Sequence, residues 1–215
     1  MAQVPTGTTF FIASAYAAPK TTTIVTNAAE AVVTSAAHGY SNGDVVEITS
    51  GWGRLNRRVF RIKSVATDTF VLEGADTSNT TFYPPGSGVG SVRKVTTYTQ
   101  IQQVLGIQSS GGDPKNVVYK YMESDVEFNI NDGFAAQQMS LELDADSIGT
   151  AGYTALRTLT DVQSDTSLRI NTRNGAVIYV PCTVALNEAV QFQDGQINRV
   201  VCAVNANGRL VRYAS

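Results

Sequence analysis

The sequence predicts a mainly β fold, and three observations carry that prediction. Five Asn-Gly or Asp-Gly pairs punctuate the chain: Asn42-Gly43, Asp132-Gly133, Asn174-Gly175, Asp194-Gly195 and Asn207-Gly208. Asn, Asp and Gly best tolerate the positive φ that a type I′ turn needs at both central positions, so the pairs read as hairpin tips. The stretches between most of them are rich in Val, Ile, Thr, Tyr and Phe, the composition of strands. No catalytic kit accompanies them, which points to a protein that works through its surface and its assembly.

The elements follow in order. Residues 8–16 read as a buried first strand, closed by Ala17-Ala18-Pro19-Lys20. From Thr21 to about Val95 the chain reads as a separate small β unit. Its alternation puts Val46 and Ile48 on one face, Phe60 and Ile62 on another, and Phe70 and Leu72 on a third. Turns carry Gly39, Asn42-Gly43, Gly51 and Gly53, and Tyr83-Pro84-Pro85-Gly86-Ser87-Gly88 has the composition of a linker or exposed loop. A β unit entered and left through Pro and Gly, after one lone strand, suggests a small all-β domain (19–95) inserted into a host domain (1–18 and 96–215).

In the host, residues 97–105 read as a strand and 109–114 as a flexible loop. Residues 117–130 are extended, turn at Asp132-Gly133, and continue as 135–143. There Met139, Leu141 and Leu143 face one side, and Gln138, Ser140, Glu142 and Asp144 the other. Residues 150–163 place Tyr153, Leu156, Leu159 and Val162 at helical spacing behind a Thr150 cap, which predicts one amphipathic helix. Strands at 167–171, 176–184, 196–205 and 209–213 complete the domain.

At 215 residues, one large or two small domains fit, and 43% apolar content suffices for a packed core. The net charge of −2 suggests no overall grip on nucleic acid. Its distribution supports two units: residues 19–95 hold eight basic and six acidic side chains, residues 96–215 eight and twelve. No apolar run is long enough to span a bilayer. The apolar N-terminal stretch lacks the basic region of a signal peptide, since the first charge is Lys20. Cys182 and Cys202 could conceivably bridge, but reduced, buried thiols are the favoured reading, and neither has a metal-ligand neighbour.

The order strand, strand, long polar loop, strand, single helix, Asn-Gly hairpin, loop, strand resembles the tail tube proteins of long-tailed, siphovirus-like bacteriophages. The likeness is carried by Gly149-Thr150-Ala151-Gly152-Tyr153-Thr154-Ala155-Leu156, by Arg169-Ile170-Asn171-Thr172-Arg173-Asn174-Gly175 and by Ile197-Asn198-Arg199-Val200-Val201, with Gly7-Thr8-Thr9-Phe10-Phe11-Ile12 at the first strand. It covers about residues 1–18 and 96–215. A second likeness covers the insert. Ala37-His38-Gly39-Tyr40-Ser41-Asn42-Gly43-Asp44-Val45-Val46, Leu55-Asn56, Phe60-Arg61-Ile62 and Thr69-Phe70-Val71-Leu72 look like a small β-barrel module common in phage structural proteins.

The resemblance implies a tail-tube-type β-sandwich or barrel with one flanking α-helix. It implies homohexameric rings joined by sheet edges and stacked into a hollow tube through which DNA passes without specific binding. It also implies a tape measure protein, a tail terminator and a distal tail protein as partners, a place in the virion tail after assembly in the host cytoplasm, no membrane and no cofactor. Ring closure would remove the exposed edges of a solitary sheet, and the insert would point outward.

Several residue groups need weighing. His38, the one histidine, precedes Gly39 in a turn and lacks a nucleophile partner, so a turn role outweighs catalysis. Glu123, Asp125, Glu127, Asp132, Glu142, Asp144 and Asp146 form an acidic stretch without Lys or Arg. It reads as a phosphate-repelling lumen wall or as a solvated face, and lacks a calcium-loop spacing. The lumen candidates are Gln138, Ser140, Glu142 and Asp144. The candidate ring-stacking loop is Ser109, Ser110, Gly111, Gly112, Asp113, Pro114 and Lys115. Trp52, Arg54, Arg57, Arg58 and Arg61, with Lys63, form a candidate outer patch of the insert, read either as polyanion-binding or as a charged strand edge. Gly86-Ser87-Gly88-Val89-Gly90 lacks the Gly-Lys-Ser/Thr of a phosphate loop. The rival reading is a capsid decoration or adhesion module binding a surface glycan on Trp52, Tyr40 and Tyr83; a β-rich hydrolase would need a site the sequence does not show.

Overall fold

The computed structural model describes residues 6–214; residues 1–5 and 215 of the predicted host segments lie outside them. Strands form where β-branched and aromatic residues alternate with polar ones. The chain opens with β1 (Thr9–Tyr16), then β2 (Lys20–Thr22), β3 (Ile24–Val25), β4 (Val32–Thr34), β5 (Val45–Ser50), β6 (Arg58–Lys63) and β7 (Thr69–Leu72). Next come β8 (Gly90–Ile101), β9 (Val104–Ser110), β10 (Pro114–Tyr119), β11 (Phe128–Phe134) and β12 (Gln138–Asp144). A 3-10 turn (Ala145–Gly149) leads into α1 (Ala151–Val162), followed by β13 (Thr166–Asn171), β14 (Val177–Gln191), β15 (Arg199–Ala206) and β16 (Val211–Tyr213).

One large antiparallel sheet runs β3-β4-β7-β6-β5-β8-β1-β13-β14-β15-β12-β9, with β16 beside β14 and β2 beside β8. It curls on itself, and α1 packs against β14, β8 and β1. The predicted fold class, mainly β with one helix, is what the chain adopts. The helix starts as expected: Thr150 Oγ1 accepts from Tyr153 N at 3.3 Å, and Tyr153 and Leu156 are buried. Leu159 is partly buried, and Val162, on the same predicted stripe, is exposed.

The sheet serves two cores. One holds Trp52, Leu55, Phe60 and Phe70 with Tyr179, Val211 and Tyr213. The other holds Phe10, Ile12, Leu141, Leu168, Val180 and Cys202 beneath Tyr153 and Leu156. β8 belongs to both, giving Val92 and Val95 to the first and Ile101 to the second. The chain therefore passes from one core to the other along an unbroken strand. The Pro/Gly stretch read as a linker precedes that strand and caps the first core instead: Trp52 Nε1 donates to Pro84 O at 2.8 Å, and a Cβ at Gly88 would lie 2.9 Å from the indole ring.

The turn chemistry differs from the type I′ reading. No Asn or Asp of the five pairs has positive φ; only glycines do. Asn174-Gly175 joins β13 to β14 by a three-residue loop, with Gly175 N donating to Thr172 O and Thr172 N to Ala176 O, each at 2.9 Å. That is a type I turn followed by a left-handed Gly. Asp194-Gly195 is the tip between β14 and β15. Asp132-Gly133 is no tip: the β10–β11 register skips Asp132, so the pair makes a bulge inside β11. Asn42-Gly43 precedes β5, and Asn207-Gly208 is a bend between two strands that both lie along β14. Pro181, which has no N–H to give, stands where the partner of β14 changes from β16 to β15.

A polar seam ties residues 19–95 to the later strands of the chain. Arg61 forms a two-pronged pair with Glu73 at 2.6 and 2.9 Å, its guanidinium 4.6 Å above the Tyr213 ring. Tyr213 Oη accepts from Arg61 N and donates to Glu73 O. Arg93 binds both carboxylate oxygens of the buried Glu47 at 2.9 Å and Asp165 O at 3.0 Å. The Arg61 hydrogen bonds hold the Glu73 carboxyl below its usual range. The stability this contributes is therefore present above the free carboxylate pKa and lost as pH falls through the lowered folded value. Glu73→Gln is expected to cost roughly 1 kcal/mol at pH 7, since the pair is partly exposed, and to lower Tm by about 2–4 °C. That gap should close below about pH 4; a melting series in which it persists unchanged at pH 3 would assign the loss to packing instead.

Candidate assembly surfaces

β10 and β11 leave the large sheet and pair only with each other, from Pro114 opposite Phe134 to Tyr119 opposite Phe128. Residues two apart on a strand share a face. Val117 and Tyr119, opposite Ile130 and Phe128, thus make one apolar face, and the Tyr121 ring joins it. Tyr119 stacks on Phe128 at 5.5 Å, and Tyr121 meets the two rings edge-on at 5.5 and 5.9 Å. The other face carries Asn116, Val118, Asn129 and Asn131. Tyr121, Phe128, Ile130 and the whole Met122 side chain are exposed. A two-stranded hairpin is marginal in water by itself, and a contiguous exposed apolar patch marks a surface meant to be covered.

The stacking loop predicted from Ser109 to Lys115 is the root of this arm. Ser109 and Ser110 end β9 and pair with Met139 and Gln138 of β12; Pro114 and Lys115 open β10. Gly111, Gly112 and Asp113 alone connect them. The aromatic face beyond escaped sequence reading. Its signal was there, an alternation through Val117, Tyr119 and Tyr121, but 117–130 read as one extended piece because its reversal near Ser124 has no Gly or Pro.

Alternation along β12 is as expected. Met139, Leu141 and Leu143 are buried, while Gln138, Ser140, Glu142 and Asp144 share the opposite face. That face is less anionic than its composition suggests. Glu142 receives Arg199 at 3.1 Å and Gln108 at 3.4 Å, and Asp144 accepts from Asp146 N at the start of the 3-10 turn. The acidic stretch is thereby split: Glu123, Asp125, Glu127 and Asp132 belong to the arm, Glu142 and Asp144 to β12.

The profile of the family described as phage tail tube protein matches residues 50–215. The chain belongs to that family. The match takes in β6 to β8 as well as the whole region from 96 onward. No curated protein matches the chain. The family is structural rather than enzymatic, and its members build the tail of the virion.

In this tail tube subunit, His38 is a packed turn residue, with Nδ1 accepting from Tyr40 N at 3.0 Å and its ring against Tyr40 and Phe70. Both cysteines are free, with thiols pushed up to about 12 by burial. Cys202 lies opposite Leu186 and Cys182 opposite Ala206, four positions away along the ladder. That offset is about 13 Å, beyond the roughly 7 Å a disulfide spans.

The basic cluster beside the first core is largely engaged by local partners. Trp52 is 1% exposed and Tyr40 and Tyr83 are buried, so these rings supply core rather than a glycan platform. Arg57 reaches Asp165 at 3.8 Å, Arg61 holds Glu73, Lys63 holds Glu30, and the half-buried Arg58 lies over Phe60. Arg54 alone among the five remains exposed without a carboxylate among the described residues, its guanidinium 3.3 Å from the Phe82 ring centre.

Proposed function

We propose that six copies of the chain close into a ring through the edges of the large sheet, and that rings stack into a hollow tube through which DNA leaves the capsid. The uncovered apolar face of the arm carries this reading. It projects from the sheet, its strands have no other partner, and covering it with a neighbouring subunit would remove Tyr121, Phe128 and Ile130 from water. The free flank of β9 at one end of the sheet and the two-residue β3 at the other offer edges for ring closure.

The β12 face with Gln138, Ser140, Glu142 and Asp144 is the proposed lumen wall. Amides, hydroxyls and locally satisfied carboxylates give DNA phosphates little to hold. Residues 19–95 form the outward module, fixed by the seam through Arg61, Arg93 and Tyr213. Assembly takes place in the host cytoplasm, with a tape measure protein, a tail terminator and a distal tail protein as the partners that set length and ends.

Negative-stain electron microscopy of the concentrated protein, with and without an assembly trigger, tests this directly. Hollow striated tubes or six-fold rings with outer knobs are expected. Particles that stay monomeric or form compact trimers under every trigger would defeat the tube reading.

A further inference from the structure

At the root of the arm lies a groove of about 700 Å³. Phe134, Ala135, Ala136 and Leu210 give it an apolar floor, and Arg54 and Arg209 stand at its rim. Both arginines are exposed, and neither has a carboxylate within ion-pair distance among the described residues. Phe82 orients the Arg54 guanidinium, and the Arg209 guanidinium sits 5.8 Å from the Phe134 ring. The far end of the arm has the complementary character. Met122 projects fully into solvent beside Tyr121, and Glu123, Asp125 and Glu127 surround them without a basic partner among the described residues.

The arm cannot fill its own groove. Its strands run six and seven residues from root to tip, so the two ends are about 20 Å apart. We propose that this groove is the receptacle for the acidic arm tip of a second copy, with Met122 and Tyr121 entering against Phe134 and Leu210 and the tip carboxylates meeting Arg54 and Arg209. This rests on the tube reading above and names the partner surface of its arm. A tip-to-root contact is heterologous, with a different surface on each side, so it repeats from copy to copy, and where its rotation does not close into a ring it propagates along an axis. Arg54 comes from the 19–95 unit. That unit would then contribute to stacking as well as projecting outward.

The test is charge reversal with compensation. Arg54→Glu with Arg209→Glu is expected to leave the monomer melt unchanged and to raise the concentration needed for tubes by roughly tenfold or more, because like charges are then opposed at each junction. Glu123→Lys, Asp125→Lys and Glu127→Lys together should do the same. A chain carrying both sets should recover assembly. Met122→Cys with Ala136→Cys should, on oxidation of assembled tubes, yield a ladder of covalent oligomers. Wild-type-like assembly of the Arg54/Arg209 variant, no recovery in the combined chain, or no ladder would each overturn the receptacle. Should a polar arm variant (Phe128→Asn with Ile130→Asn) lose tubes while the Arg54/Arg209 variant assembles normally, the receptacle falls and the role of the arm in tube building stands.

Discussion

Replacing Phe128 and Ile130 together by Asn is expected to leave a folded monomer that no longer builds tubes. Both side chains lie on the one apolar face of the β10–β11 arm, and both are already exposed in the isolated subunit. The arm contributes no residue to either core of the large sheet, so the packing lost is local to the hairpin and the Tm of the subunit should move by no more than a degree or two. In the tube the same side chains would be covered. Fully burying such a side chain contributes roughly 1.5–3 kcal/mol; with 40% of Phe128 and 55% of Ile130 still exposed, the pair removes about 1.5–3 kcal/mol per contact and weakens it by roughly tenfold to a hundredfold. Sedimentation of wild type and variant at matched concentration reads the effect. Equal pelleting would mean that the arm face is not where copies meet.

Gly152→Ala should destabilise the subunit through a single added methyl. The helix sits so close to β8 that a Cβ at this position would collide with Gln100 O and lie 2.8 Å from Ile101 Cα. Both obstacles are backbone held in the β8–β1 ladder, where Gln100 pairs with Phe11 and Ile101 with Phe10. Neither can rotate away, so α1 must lift from the sheet and loosen Tyr153 and Leu156. Alanine gains about 1 kcal/mol of helix propensity over Gly, but overpacking of this kind costs about 1–3 kcal/mol and sometimes more. The net loss is then up to about 2 kcal/mol, which corresponds to a Tm drop of up to roughly 4–8 °C. Gly149→Ala is the matched control, since nothing lies within 4 Å of its Cβ. Indistinguishable calorimetric melts for the two variants would show that the helix has slack the packing does not reveal.

Local patterns were legible wherever a single element decided them. The Thr150 cap and the Tyr153/Leu156 spacing defined α1, and strict alternation placed Gln138, Ser140, Glu142 and Asp144 opposite a buried Met139, Leu141 and Leu143. What escaped depended on partners far away in the chain. An Asp-Gly pair suits a tip or a bulge equally, and the register against Lys115 and Asn116 made Asp132-Gly133 a bulge. Arg54, Arg57, Arg58 and Arg61 are near in sequence but have different partners, which are Phe82, Asp165, Phe60 and Glu73 in turn. The polar face of β12 looked more acidic than it is because Arg199, the partner of Glu142, lies 57 residues away. The arm was half visible: its alternation is plain in the residues, while its lack of any cover within the subunit is a tertiary fact.

β8 gives the smaller unit a mechanical character. Its first half is hydrogen-bonded to β2 and β5, and its second half to β1. A pull on the 19–95 module along that strand meets ladder bonds lying across the direction of force. They share the load in shear instead of opening one at a time. The module is thus coupled to the body of the subunit as a spar is to a hull, and a force on it would pass into the large sheet rather than peel the module off it.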